Sequence, residues 1–126
     1  MRQAVSTATA PKAIGPYSPG IRIGSLLFLS GQIPLDPETG TMVGDDITSQ
    51  TEQVMRNIGA LLEAAGAGFR HVARTTVFLV DMQEFAAMNA VYGTFMEDPP
   101  PARATVEVAR LPRDARVEID VIAVLD

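Results

Sequence analysis

Two segments near the end of the chain alternate apolar and polar residues with a period of two, the pattern of β-strands with one packed face. In residues 102–108 this alternation separates Arg103 and Thr105 from an apolar set on the opposite face. In residues 117–124 the carboxylate of Glu118 also leaves an apolar face. We therefore predict two strands joined by a short turn, so that one strand pair offers a guanidinium, a hydroxyl and a carboxylate.

A hairpin is predicted nearer the start of the chain. Residues 21–29 contain two strand-like runs that turn at Gly24. The second run, residues 26–29, is apolar throughout and is therefore expected to be buried on both faces. Ser30 and Gly31 end this strand, where the glycine allows a backbone or a ligand to approach closely, or where the pair forms only a bulge.

The hairpin is preceded by a segment that is too rich in proline and glycine for regular structure. Residues 11–20 contain three prolines and two glycines and are predicted to be a loop, after a short strand over residues 5–7. Within the loop, Tyr17 is held between prolines that restrict the backbone on both sides. The tyrosine either places its hydroxyl in a site or covers the edge of the core.

Two helices are predicted from apolar residues at spacings of three and four. The first starts at residue 46 and ends near Gly66, and the second follows Asp81, with a strand over residues 71–80 between them. Asn89 lies at the edge of the apolar stripe of the second helix, a position that is often solvent-facing. The order of elements predicts an α+β fold with about six strands in a mixed sheet and two helices on one face. The other face then needs cover, which an oligomer supplies.

Length and charge exclude several classes of protein. A chain of 126 residues fits a single domain, residues 1–126. The formal net charge of −5 disfavours nucleic acid and anionic lipid as partners, and no apolar run is long enough to span a membrane. The absence of cysteine fits a reducing, cytoplasmic environment. The Ser- and Ala-rich first dozen residues faintly resemble a transit peptide, but a cleaved leader is not favoured.

Counting residues also excludes common catalytic sites. One histidine, His71, and no cysteine cannot form a zinc site of Cys and His ligands, so we expect no metal. We interpret His71 as a surface or capping residue, and no nucleophile elbow or phosphate-binding loop is present. The remaining candidate for a functional residue is Arg103, whose planar guanidinium can bind a carboxylate through two parallel hydrogen bonds. The alternative for this arginine is a structural ion pair with Glu107 or another acid.

Three segments of the chain together resemble a known family. Residues 14–20, residues 30–34, and residues 101–112 with residues 117–119 are similar, in this order along the chain, to the signatures of the RidA/YjgF/UK114 proteins, the reactive intermediate deaminases. The resemblance covers almost the whole chain, from about residue 10 to residue 125. It implies a chorismate-mutase-like fold and a homotrimer with ligand clefts between neighbouring subunits.

The resemblance also implies site residues and a reaction. The positions that match the family's site are Tyr17, Ser30, Gly31, Asn89, Arg103, Thr105 and Glu118. Arg103, Glu118 and Tyr17 are the implied catalytic residues, and the others bind substrate. Many members have cysteine at position 105, and threonine keeps a hydroxyl there but excludes thiol chemistry.

The implied activity is that of a 2-iminobutanoate/2-iminopropanoate deaminase. It hydrolyses reactive 2-enamine and 2-imine acids, such as those derived from 2-aminoacrylate, to 2-oxo acids and ammonia. No cofactor is implied, because an imine carbon is already electrophilic. We expect Arg103 to bind the carboxylate of the imine or 2-oxo acid while Glu118 activates water.

Three other interpretations remain open at this point. A pathway-specific deaminase of the same superfamily would act on aminoacrylate or an aminomuconate. A non-catalytic trimer would bind 2-oxo acids for regulation. Ribonuclease, translation-inhibiting or chaperone-like activity is attached to some relatives, but the acidic charge and the absence of a basic aromatic patch disfavour nucleic acid.

Overall fold

The computed structural model describes residues 1–126 and confirms an α+β fold with a six-stranded mixed sheet. The elements follow one another in nearly the predicted order. They are β1 (Gln3–Val5), β2 (Gly20–Ile23), β3 (Leu26–Gln32), α1 (Ile47–Ala64), β4 (Val72–Leu79), α2 (Phe85–Phe95), β5 (Ala102–Glu107) and β6 (Val117–Val124).

The strands are arranged in the order β1-β2-β3-β6-β4-β5, and only β4 and β5 are parallel. The prediction that β5 and β6 form one strand pair is therefore wrong, because β4 lies between them. The physical reason is the crossover: α2 carries the chain from the end of β4 back to its start, so β5 must run parallel to β4. β6 then pairs with the other edge of β4 and with β3, antiparallel to both.

The core lies between the two helices and one face of the sheet. The apolar stripe of α1 is fully buried at Val54, Ile58 and Leu61. The helix begins where predicted, because the side chain of Asp46 accepts a hydrogen bond of 2.7 Å from the backbone N–H of Ser49.

The opposite face of the sheet is apolar and uncovered in the single chain. In β3, Leu27 and Leu29 are buried, whereas Leu26 and Phe28 are 40% and 38% exposed. The expectation that this strand is buried on both faces is therefore wrong for one chain. Val106 and Val124 are also exposed, at 41% and 45%. An apolar sheet face of this kind is typical of a surface that binds a partner.

Three smaller predictions need correction. The first strand covers Gln3–Val5 instead of residues 5–7. Asp81 caps a single 3₁₀ turn that runs into α2, rather than α2 itself. His71 caps the turn before β4, where its Nδ1 accepts from the N–H of Gly68 at 3.0 Å. The side chain of His71 is only 5% exposed, so the surface interpretation is wrong.

Candidate functional site

The predicted site residues form two groups that face away from each other. Residues that pair across a ladder point to the same face of a sheet. Thr105 and Ile119 both pair with Val77, which is buried on the helix side. Glu118 pairs with Phe78, the next residue of β4, and therefore lies on the uncovered face.

Within one chain, Arg103 and Glu118 are far apart. Arg103 is level with Thr75 of β4, and Thr75 is level with Val121 of β6, three residues beyond Glu118. Two strand spacings and three residues along the strand separate their Cα atoms by roughly 14 Å. The expectation that one strand pair would present both groups is wrong, because the intervening β4 and the alternation of faces keep them apart.

The first group is organised by the contact between Gly31 and Glu118. A β-carbon at position 31 would contact Oε2 of Glu118 and lie 2.8 Å from its Cδ. A side chain at position 31 would therefore force this carboxylate to move. The prediction for Gly31 is close approach of a backbone or a ligand, whereas the group that approaches in the structure is the side chain of Glu118. The ladder between β3 and β6 shifts register between Leu29 and Gln32, which confirms the bulge.

The carboxyl of Glu118 is perturbed in the direction that proton transfer requires. Burial raises the pKa of Glu118 above its usual value, and the negative charge of Asp120 raises it further. A carboxylate with a raised pKa is a better proton acceptor and holds the accepted proton for return. Perturbed groups of this kind are enriched at functional sites.

Ser30 and Tyr17 belong to the same group but differ in what they can offer. The hydroxyl of Ser30 donates to the carbonyl of Ser18 at 2.6 Å, and its N–H donates to the carbonyl of Pro19. These bonds fix the loop that carries Tyr17 to the sheet. The tyrosine hydroxyl accepts from the N–H of Ile14 at 3.3 Å, and the residue is 51% exposed. Tyr17 is therefore no lid over the core, and its O–H proton remains free to donate.

The second group is organised by the guanidinium of Arg103. Nη1 donates to Oδ1 of Asn89 at 2.7 Å. The guanidinium carbon lies 5.4 Å from the ring centroid of Phe85 and 4.8 Å from that of Tyr92. The hydroxyl of Tyr92 is paired with Thr75 at 2.7 Å. One face of α2 thus fixes the arginine through two rings and an amide.

Arg103 makes no ion pair. The alternative partner Glu107 instead accepts from the backbone N–H of Met82 at 2.7 Å, so the structural ion-pair interpretation is wrong for this acid. One N–H of the guanidinium is used by Asn89, which leaves four for an incoming anion. Next to it, the hydroxyl of Thr105 is buried without a hydrogen-bond partner, which costs about 1–3 kcal/mol if nothing else satisfies it.

Sequence reasoning missed Phe85 and Tyr92 as supports of the arginine. Both fall on the apolar stripe that predicts α2, and both pack against the core. The available signal was spacing: Phe85, Asn89 and Tyr92 follow one another at four and three residues and so share one helix face. What the spacing could not indicate was that β5 brings Arg103 beneath that face.

Each group borders a depression in the surface. Tyr17 and Gly31 line a groove of ≈ 290 Å³, and Asn89 and Arg103 line a wider hollow on the other side of the sheet.

No group of three or more His, Cys, Asp or Glu side chains is placed to hold a metal ion. Neither helix combines the length and the apolar character needed to cross a bilayer.

These features define an α+β protein with an arginine that has no acidic partner on one sheet face and a carboxylate of raised pKa on the other. The family model described as Endoribonuclease L-PSP matches residues 7–125. The chain belongs to this family, which is the RidA/YjgF/UK114 family indicated by its motifs.

Individual relatives agree with this assignment. The chain is 51% identical to a RutC family protein of Pyrococcus horikoshii, with 98% of each chain covered. It is 44% identical to the 2-iminobutanoate/2-iminopropanoate deaminase of Mus musculus, over 98% of this chain and 92% of the relative. The crystal structure of Escherichia coli TdcF with bound serine superposes with a TM-score of 0.94 at 40% identity, covering 98% of this chain and 99% of the other.

Proposed function

We propose that this protein is a deaminase that hydrolyses 2-imino and 2-enamine acids to 2-oxo acids and ammonia. The observation that carries the proposal is the arginine at position 103, which is fixed by α2 and has no acidic partner. Such a group is suited to a small carboxylic acid. The name of the mouse relative and the serine bound to TdcF point to the same class of ligand.

We further propose that the site is shared between neighbouring copies in a homotrimer. Arg103 and Glu118 lie on opposite faces of one sheet, so a single chain cannot present both to one substrate. β5 is an edge strand of the sheet, so a second copy whose β5 edge lies against the apolar face would bring its own Arg103, Asn89 and Thr105 towards Glu118. The exposed Leu26 and Phe28 would supply apolar area for that contact.

The chemistry then follows from the two groups. Arg103 binds the substrate carboxylate, and Glu118 accepts a proton from a water molecule whose oxygen attacks C2. The product is a carbinolamine, with hydroxyl and amino groups on the same carbon. Glu118 returns this proton to the nitrogen, which completes the amino group of the carbinolamine. Glu118 then takes the proton of the new hydroxyl and passes it to the same nitrogen as the C–N bond breaks, so that the hydroxyl oxygen becomes the carbonyl of the 2-oxo acid and ammonia leaves. Imine and water are thus converted to 2-oxo acid and ammonia with all atoms accounted for.

The remaining residues have supporting roles in this proposal. The free O–H of Tyr17 is available to donate to the water or to the substrate nitrogen. Thr105 has a buried hydroxyl without a partner, which a bound carboxylate would satisfy. Ser30 acts mainly through the loop that it fixes, since its proton is already donated to Ser18.

A coupled assay tests the activity. Threonine dehydratase generates 2-iminobutanoate, and we expect this protein to accelerate the disappearance of the imine and the release of 2-oxobutanoate. Arg103→Lys and Glu118→Gln should each lower the rate about 10²-fold or more, because lysine cannot form the paired hydrogen bonds and glutamine cannot accept the proton. Binding of 2-oxobutanoate without acceleration would favour the regulatory trimer, and a panel of imines would identify a pathway-specific deaminase.

Mixing the two variants tests the shared site. If one copy supplies Arg103 and its neighbour supplies Glu118, co-expression of the two inactive variants restores intact sites at some interfaces. A random 1:1 mixture should recover roughly one quarter of the wild-type rate, because both intact residues meet at one interface in four. A mixture as inactive as its components would contradict a site between copies.

A further inference from the structure

The groove that Tyr17 lines contains residues that have no role in the proposed chemistry. It lies between the loop of residues 11–19 and the turn of residues 112–114, with a volume of ≈ 290 Å³. Its apolar lining includes Ile14, Ile33 and Leu35. Its size is suited to a short side chain rather than to a large cofactor.

The groove lies next to the proposed reaction centre. Gly31 forms part of its lining, and the backbone of Gly31 is in close contact with the carboxylate of Glu118. A substrate whose C2 is attacked by water from Glu118, and whose carboxylate is bound by the arginine of a second copy, has one substituent left to place. This groove is the adjacent depression that the same chain offers for that substituent.

The charge of the groove is opposite to that of the chain. Lys12 and Arg113 line it, and no aspartate or glutamate does, although the formal net charge of the chain is −5. Neither cation belongs to an ion pair, since all the ion pairs of the structure involve other basic residues. Glu38 lines the neighbouring hollow that Lys12 also borders, but not this groove.

Arg113 is held in place by its backbone and by one hydrogen bond. Its φ of 56° is in the left-handed region, which non-glycine residues rarely adopt. Nη1 donates to the carbonyl of Gly40 at 2.9 Å, which leaves the rest of the guanidinium unpaired. Backbone strain of this kind is concentrated at active sites and ligand-binding sites.

We propose that this groove binds the substrate side chain and favours 2-imino acids whose side chain ends in a second carboxylate. The inference rests on the proposed function, because Glu118 sets the position of the reacting carbon. The methylene groups pack against the apolar lining, and the terminal carboxylate accepts charge-assisted hydrogen bonds from Lys12 and Arg113.

Inhibition by two 2-oxo acids of equal chain length tests the proposal. 2-Oxoglutarate and 2-oxopentanoate both have five carbons, but only the first has a second carboxylate. We measure the Ki of each against 2-iminobutanoate hydrolysis. 2-Oxoglutarate should bind about tenfold more tightly or better, because one charge-assisted hydrogen bond alone is expected to give about this gain. A Ki for 2-oxoglutarate equal to or above that of 2-oxopentanoate would overturn the proposal.

Two variants locate the effect in the groove. Lys12→Met and Arg113→Asn should each remove most of the preference for 2-oxoglutarate and leave the Ki of 2-oxopentanoate unchanged. Asparagine is chosen because it tolerates the left-handed backbone at position 113. Arg22→Met is the matched control, since Arg22 lies on β2 and donates to Gly24, away from the groove. If Arg113→Asn does not fold, Lys12→Met decides, and an unchanged preference in that variant would refute the subsite.

The two proposals fail in different ways. Rapid hydrolysis of 2-iminobutanoate without any preference for the dicarboxylate refutes the subsite alone. If no imine is hydrolysed, the proposed function fails, and calorimetric titration with the same two 2-oxo acids then tests the groove as a binding site. Tighter binding of 2-oxoglutarate that depends on Lys12 would support a binding site in the groove. Equal affinity for 2-oxoglutarate and 2-oxopentanoate would refute it.

Discussion

The guanidinium carbon of Arg103 lies 4.8 Å from the ring centroid of Tyr92, and the hydroxyl of Tyr92 is paired with the hydroxyl of Thr75. Tyr92 is 5% exposed, so the ring cannot move without disturbing the core. The arginine is therefore oriented before any ligand arrives. Orientation in advance lowers the conformational entropy that binding would otherwise cost.

Tyr92→Leu should weaken substrate binding more than it slows the chemical step. Loss of the ring removes a contact that is worth about 1–2 kcal/mol at a partly desolvated site, so we expect KM to rise roughly 5- to 30-fold with a smaller change in kcat. Tyr92→Phe keeps the ring and should keep KM near the wild-type value. It leaves the hydroxyl of Thr75 unpaired and should lower the unfolding free energy by about 1 kcal/mol. Equal KM values for the two variants would contradict the role of the ring.

Gly31→Ala should disable the carboxylate of Glu118. The new β-carbon would occupy the position of Oε2, so Glu118 must turn away from its present place. We expect turnover to fall about 10²-fold or more, in the range of a lost general base. Gly68→Ala is the matched control, because a β-carbon at position 68 meets no atom within 4 Å and the backbone there is extended. Wild-type turnover in Gly31→Ala would show that the contact is not needed.

The pH dependence of turnover should report the raised pKa of Glu118. The deprotonated form of Glu118 is the active one, so the rate falls as the pH drops through the pKa of this residue. Because this pKa is raised, the acid limb of the pH profile should lie at a higher pH than the pKa of an ordinary glutamate. Asp120→Asn removes the nearby negative charge and should move the acid limb to lower pH. If Asp120→Asn leaves the acid limb of the pH profile unchanged, the acid limb does not report the pKa of Glu118.

The same raised pKa predicts a change in stability. A carboxyl whose pKa is higher in the folded state contributes stability that is complete below its unfolded pKa and is lost as the pH rises through the folded pKa. Once the pH exceeds the folded-state pKa, the charged, half-buried Glu118 opposes folding. Glu118→Gln should raise the unfolding free energy at pH 7 and have little effect near pH 4, as measured by chemical denaturation at both pH values.

Phe28→Asp tests the uncovered sheet face. A charge in the middle of this apolar face should prevent close contact with another copy, so sedimentation velocity should show monomers in place of a larger assembly. If the site is shared, hydrolysis of imines is lost at the same time. Glu52→Lys, on the exposed side of α1, is the control and should change neither property. A monomeric Phe28→Asp protein with full activity would contradict the shared site.

Local patterns predicted much of this fold. Alternation located β5 and β6, two strand-like runs that turn at Gly24 located β2 and β3, and helical spacing located α1. These features depend on residues close together in sequence. The strand order depends on which edges meet, and no local pattern in β5 or β6 indicated that β4 would lie between them. The assignment of Arg103 to an unpacked face was wrong for the same reason.

The candidate site shows a similar division. The motif pointed to Gly31 and to Glu118 separately, and glycine predicted a close approach. Only the pairing of β3 with β6 identified the approaching group as that carboxylate. The aromatic support of Arg103 likewise depends on how α2 crosses β5, which is a contact between residues far apart in the chain.

The back-to-back placement of Arg103 and Glu118 has a consequence for how this protein would work at low abundance. A single chain would hold Arg103 and Glu118 on opposite faces of the sheet, so no one substrate molecule could contact both residues. Output would then rise more steeply than linearly with the amount of protein until assembly is complete. If the site is shared between copies as proposed, dilution would lower the activity by separating the copies.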